Sequence, residues 1–153
     1  MNTHSPVQVQ DIMSVNPVCC TQDTPLEEVA HLMQEHECGE IPVVDLGGMK
    51  PIGVITDRDI VCRTLAKGIN PIGRSVQASM STPVRTLPIT ATLDECVNLM
   101  DKYQIRRVPI VDERGELRGI VSQADLANRL TRDQIAVLLK AVSAHKRTLN
   151  VAA

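Results

Sequence analysis

Apolar positions along the chain fall into two rhythms, and each rhythm occurs twice. Leu26, Val29, Ala30 and Met33 follow helical spacing with one buried stripe, and so do Leu93, Cys96, Val97 and Met100. Beyond each stripe lie short runs that are apolar almost throughout: Ile41-Pro42-Val43-Val44 with Ile52-Gly53-Val54-Ile55, and Val108-Pro109-Ile110-Val111 with Gly119-Ile120-Val121. Runs of that length and β-branched content predict strands covered on both faces. Acidic turns containing Gly48 and Gly115 close the first strand of each pair. Ahead of each helix, Pro17-Val18 and Pro83-Val84 open a short extended segment.

Helix starts are marked as clearly as helix faces. Thr24-Pro25 precedes Glu27 and Glu28, and Thr92 precedes Asp94 and Glu95: a hydroxyl cap followed by acids in the first turn, with Pro25 at an early helical position. The first helix is expected to end by Gly39 and its counterpart near Gln104. A second helix follows each strand pair through Thr56-Asp57-Arg58-Asp59 or Ser122-Gln123-Ala124-Asp125, with the hydroxyl at the N-cap. Each half therefore reads β-α-β-β-α.

The halves are copies of one another. With Met13 placed on Met80, identities include Ser14/Ser81, Pro17/Pro83, Leu26/Leu93, Met33/Met100, Pro42/Pro109, Asp45/Asp112, Gly53/Gly119, Asp59/Asp125 and Arg63/Arg129. A half of roughly 50 residues buries too little surface to be stable alone. The expected architecture is α/β (α+β): two pseudo-twofold repeats packed sheet to sheet around one core. The expected boundaries are 7–68 for the first repeat, 69–77 for a Gly/Pro-punctuated connector, 78–130 for the second repeat, and 131–153 for a C-terminal helix and tail. Thr131 and Asp133 would cap that helix, with Ile135, Leu138, Leu139 and Val142 on one stripe and His145-Lys146-Arg147 at the negative pole of its dipole. Such a stripe needs a partner surface, either the body of the protein or a second copy.

Composition narrows the functions. The 153 residues are 43% hydrophobic and 22% charged, ordinary for a folded protein, yet include no Trp, no Phe and one Tyr, Tyr103. That shortage disfavours stacking of single-stranded bases and aromatic cages for quaternary ammonium ions. A net charge of −2 with both signs dispersed argues against nucleic acid as a partner. No apolar window is long enough for a membrane helix, and the start MNTHSPVQVQ has neither the basic residues nor the apolar run of a signal peptide. The expectation is a cytoplasmic chain whose five cysteines, Cys19, Cys20, Cys38, Cys62 and Cys96, are reduced.

At these residues the sequence resembles the cystathionine-β-synthase (CBS) domain family. The resemblance is carried by Ile41-Pro42-Val43-Val44-Asp45 with Gly53-Val54-Ile55-Thr56-Asp57-Arg58-Asp59, and by Val108-Pro109-Ile110-Val111-Asp112 with Gly119-Ile120-Val121-Ser122-Gln123-Ala124-Asp125. Both repeats end in the family's glycine, two apolar residues, Ser or Thr, any two residues, and Asp. The resemblance implies a stand-alone regulatory pair, often assembled as a homodimer, that binds an adenosine-containing ligand in clefts between repeats. AMP, ADP, ATP, S-adenosylmethionine and NAD are the ligands it implies, and no further cofactor is required.

Chemistry can be assigned residue by residue. Asp59 and Asp125, one turn past their caps, are placed to accept both hydroxyls of a ribose. Thr56 and Ser122, with backbone N–H groups at the helix start, suit a phosphate. The same pattern also serves as plain helix capping. Arg106 and Arg107 precede Val108-Pro109, and in resembling proteins a basic residue there can reach a phosphate; the first repeat has Gly39 and Glu40 instead. Conversely, Asp57-Arg58 in the first repeat supplies a charge where the second has Gln123-Ala124. Two unequal clefts are expected, unless these charges simply form surface ion pairs. A base would lie between aliphatic side chains, its edge read by backbone groups near Val18, Val84, Ile41 and Val108.

Two alternatives remain open on the sequence. The pair could be a structural dimerisation module without a nucleotide, since one fold serves both roles. It could also respond to a metal or to redox state through His31, His36, Cys38, Cys19, Cys20 and Cys62, although their spacing does not match the usual zinc motifs. Catalysis is not expected: there is no recognisable nucleophile–base set, no Walker A loop and no dinucleotide loop, and Gly47-Gly48 reads as a strand-joining turn.

Overall fold

The computed structural model describes residues 5–136 together with 139 and 140. Strand β1 (Ser14–Val15) comes first, then β2 (Cys20–Thr21), helix α1 (Leu26–Glu35), β3 (Glu40–Val44), β4 (Pro51–Thr56) and α2 (Asp57–Arg63). The second repeat runs β5 (Leu87–Pro88), α3 (Leu93–Tyr103), β6 (Arg107–Val111), β7 (Leu117–Ser122) and α4 (Gln123–Ala127). Two sheets result, with strand orders β2-β3-β4 and β1-β7-β6-β5. In each, a parallel pair (β2 with β3, β5 with β6) is followed by an antiparallel hairpin with a bulge before its last residue. The expected α+β architecture of two like repeats is what the chain adopts.

The capping signals have unequal outcomes. Thr92 forms a full capping box with Glu95, its hydroxyl accepting from the Glu95 N–H at 3.2 Å while Glu95 accepts from the Thr92 N–H at 2.7 Å. Thr24 does not cap α1. Its hydroxyl accepts from the Thr21 N–H at 3.0 Å, and Pro25 takes the N-cap position with extended backbone. The Leu26 N–H is satisfied instead by the Arg74 carbonyl at 2.9 Å, brought in from the connector. Helix α1 also stops at Glu35, short of Gly39, because Glu37 takes the left-handed turn at φ 49°. Gln104 ends α3 in the same way at φ 53°.

Buried side chains gather in two clusters, one beneath each repeat's helices, rather than in the single core expected. Each cluster contains a short segment from outside its own repeat. Val9 lies fully buried among Val97, Met100, Val108 and Leu126, with Ile12 and Met13 packed beside it. Val76 lies fully buried among Leu26, Val29, Ile41 and Ile55, with Met80 beside it. Matching hydrogen bonds hold the two segments: Val9 N–H to Ala91 carbonyl at 2.8 Å, and Val76 N–H to Thr24 carbonyl at 2.9 Å. The chain then adds an edge to the sheet beside it. Ser14 pairs with Ile120 in β7, and Ser81 exchanges hydrogen bonds with Val54 in β4 at 2.8 and 3.1 Å.

These crossings explain the glycine of the repeated motif. A Cβ on Gly53 would stand 2.7 Å from the Ser81 carbonyl oxygen, and one on Gly119 would stand 2.9 Å from the Ser14 carbonyl oxygen and clash with Met13. Only a residue without a side chain lets the visiting backbone pass. Past Leu130, Thr131 caps the next helical stretch with Gln134, whose amide reaches Asp94. Of the apolar stripe expected there, Ile135 is half-buried and Leu139 exposed, while Leu138, Val142 and His145-Lys146-Arg147 lie outside the described residues.

Candidate functional site

Both Ser/Thr-x-x-Asp segments fold as reciprocal capping boxes. Thr56 Oγ1 accepts from the Asp59 N–H at 2.9 Å, and Asp59 Oδ2 accepts from the Thr56 N–H at 3.1 Å. Ser122 Oγ accepts from the Asp125 N–H at 3.2 Å, and Asp125 Oδ2 accepts from the Ser122 N–H at 2.7 Å. The boxes fix each aspartate on the surface where strand turns into helix. They also use up donors that a phosphate at the helix start would need. In the first repeat the N–H of Asp57 goes to the Gly39 carbonyl, that of Arg58 to Asp57 Oδ1, and that of Asp59 to Thr56. At this helix start the backbone donors of Asp57, Arg58 and Asp59 are all occupied within the chain.

Two clefts open beside these boxes, and each joins one repeat's box to the other repeat's strand. The first, with a cavity of about 520 Å³, brings together Thr56, Asp57, Arg58 and Asp59 with Arg106, Arg107, Gln104 and Ser81. The second, about 350 Å³, brings Ser122 and Asp125 together with Pro17, Val18, Cys38, Glu40, Pro42 and Arg107. These volumes suit small-molecule sites. Glu40 and Arg107 hold equivalent positions in β3 and β6, paired across their hairpins with Thr56 and Ser122 respectively. Both side chains line both clefts, so they form the wall between them.

Burial at that wall pushes the Glu40 carboxyl up to about 7; the Arg107 guanidinium pulls it down, and Asp59 adds to the rise. The first cleft's aspartate is further tied. Ser81 Oγ donates to both Asp59 oxygens at 3.2 and 3.3 Å, and Arg63 Nη2 lies 3.7 Å from Asp59 Oδ1. Arg63 is itself oriented by the carbonyls of Ser79 and Met80, at 2.8 and 2.7 Å. Asp125 receives its extra hydrogen bond from its own Ser122 hydroxyl, at 2.9 Å.

The remaining assigned residues are placed differently. The side chains of Ile41, Val108 and Pro109 are buried and do not line either cleft, and half-buried Val84 also stands outside both linings. Tyr103 lies against the Arg85 guanidinium, 4.0 Å from its ring centroid, rather than lining a cleft. His36 and Cys38 do line the second cleft, while His31 is exposed on α1. Among the described residues no three His, Cys, Asp or Glu side chains gather to hold a metal ion. Burial raises the Cys20 and Cys96 thiols to about 12, which leaves them protonated and unreactive. Of the six residues weighed for a metal or redox role, His36 and Cys38 line the second cleft, Cys20 is buried and Cys62 is exposed. Ser14 and Ser81, absent from the expected site residues, each line one cleft; the one signal for them in the sequence is that they are an identical pair in the repeat alignment.

Comparison with known proteins finds the same domain in both halves. The family model described as CBS domain matches residues 9–63 and 74–132. The CBS domain-containing protein YhcV of Bacillus subtilis is 37% identical over 137 residues, covering 88% of this chain and 94% of that protein. Hypoxic response protein 1 of Mycobacterium tuberculosis is 32% identical over 133 residues, covering 87% and 92%. Its crystal structure, with two coordinated zinc ions, matches with a TM-score of 0.74 over 82% of this chain and all of that one. The CBS domain pair of protein MJ0100, in complex with 5′-methylthioadenosine and S-adenosyl-L-methionine, matches with a TM-score of 0.70 at 28% identity, over 80% of this chain and 94% of that one.

Proposed function

The chain belongs to the CBS domain family, and from that premise we propose that it is a non-catalytic regulatory module binding an adenosine-containing ligand in the clefts between its repeats. One observation carries the reading: each cleft is built from one repeat's capping box and the other repeat's strand. A ligand seated there touches both halves, so its occupancy is felt in how they sit together. Asp59 and Asp125 offer the ribose a carboxylate already held in place by its box. The aliphatic and proline walls, with Val54 and Ile105 in the first cleft and Val18 and Pro42 in the second, suit the faces of a base. The MJ0100 pair, of like fold, was crystallised with two adenosine compounds, which supports the ligand class.

Transmission would follow the ligand's differential affinity for two arrangements of the repeats. We place the outgoing surface on α2 and the turn after it, where Val61 and Leu65 are 51% and 60% exposed beside exposed Cys62. Apolar residues at that density suit a second copy of the chain, a homodimer. AMP, ADP, ATP, S-adenosylmethionine and NAD form the panel for the test, read as a shift in melting temperature with concentration. A binder raises the midpoint once its concentration passes the dissociation constant. Asp59→Ala/Asp125→Ala protein should lose that shift. A panel without any shift, or a shift that survives the double substitution, sinks the ribose assignment.

A further inference from the structure

The two clefts differ in charge: the first is balanced and the second is acidic. The first is lined by three guanidinium groups, Arg58, Arg106 and Arg107, which balance Asp57, Asp59 and Glu40. The second keeps Glu37, Glu40 and Asp125 but has only Arg107 among arginines, with His36 beside it. The cause lies in two repeat positions: Arg106 stands where the other half has Gly39, and Arg58 stands where the other half has Ala124. Arg107 is shared, since it forms the wall between the clefts together with Glu40.

We propose that this chain takes one 5′-phosphorylated nucleoside, in the first cleft, and that its second cleft accepts only an adenosine-type ligand without a phosphate. A phosphate in the first cleft meets exposed Arg106 and Arg58, and draws Arg107 toward itself. The Glu40 carboxylate then loses part of its compensation on the other side of the wall. A second phosphate would enter a cleft lined by Glu37, Glu40 and Asp125 with its one arginine already engaged, and like charges there repel. An uncharged or cationic 5′ group meets no such opposition. The proposal rests on the adenosine-site reading above and adds to it which cleft reads the phosphate.

Calorimetric titration of the full chain with AMP, then with 5′-methylthioadenosine on the AMP-saturated protein, tests it. One AMP per chain is expected, followed by one 5′-methylthioadenosine per chain. Arg106→Gln should weaken AMP at least about tenfold, the usual loss for a charge-assisted contact, and leave 5′-methylthioadenosine within about twofold. Because Arg106 is exposed, the melting temperature of the unliganded variant should match the parent, which separates lost contact from lost fold. Asp125→Asn should remove the second event while AMP still binds. Two equivalent AMP sites, complete exclusion of 5′-methylthioadenosine by AMP, or unchanged AMP affinity in Arg106→Gln would each overturn the charge partition while leaving the adenosine reading intact. Absence of binding by both compounds would overturn the adenosine reading itself, and the partition with it.

Discussion

Glu40 carries a carboxyl group into the wall between two clefts, and burial there is costly for its ionised form. Below pH 4.5, its ordinary value, the group is protonated in the folded and unfolded chain alike. As pH rises toward about 7 the unfolded chain ionises first, so the folded state loses stability through that window, and above it the loss is complete. Glu40→Gln removes the titration. The variant should therefore be more stable than the parent at pH 8 by about 1–2 kcal/mol, allowing for solvent screening of a half-buried group, with the difference vanishing near pH 4. Urea midpoints measured at both pH values check this. A constant difference across the range would show that Glu40 acts by packing and not by charge. The same residue separates what sequence could reveal from what it could not. That Glu40 replaces an arginine of the other repeat is visible in the alignment of halves; that it stands between both clefts depends on two hairpins meeting, which no local pattern encodes.

At the scale of single elements, the boxes were legible because each closes over three residues. Thr56…Asp59, Thr92…Glu95 and Ser122…Asp125 need only the right side chains at the right spacing. Thr24 has the same look but lost its role to a contact with the Arg74 carbonyl, far along the chain. The crossings at Gly53 and Gly119 were equally hidden, for Ser14 meets Ile120 only after the whole of both repeats has been traversed. Their consequence is testable. Gly53→Ala places a methyl group 2.7 Å from a backbone carbonyl, and Gly119→Ala one at 2.9 Å, so either should cost about 2 kcal/mol by overpacking. Gly47→Ala, whose Cβ would meet nothing within 4 Å, should change stability by less than about 0.5 kcal/mol. Chemical unfolding of the three variants decides; equal behaviour would mean that the visiting strands yield freely.

For the whole molecule, the placement of Val9 and Val76 predicts that the two cores behave as one. Val9 belongs by sequence to the first half yet fills the core of the second, and Val76 precedes the second half yet fills the core of the first. Neither cluster can be complete while the other half is unfolded, because each half holds one end of the other's insert. Separate cores joined by a plain linker would melt independently; these should melt together. The chain carries a reporter for each: Cys96, fully buried in one cluster, and Cys20, 5% exposed in the other. Thiol labelling along a urea gradient, resolved by peptide mass, should expose both at the same midpoint. Val9→Ala opens a cavity only in the Cys96 cluster and should cost about 2 kcal/mol. If the halves are interlocked, that substitution lowers the Cys20 midpoint by as much as the Cys96 midpoint, although Cys20 lies in the other cluster. A Cys96 thiol that becomes reactive at lower urea while Cys20 stays protected would show instead that the second repeat can open alone. In that case a ligand bridging the repeats would act by recruiting a loosened half, and its stabilising effect would appear at Cys96 first.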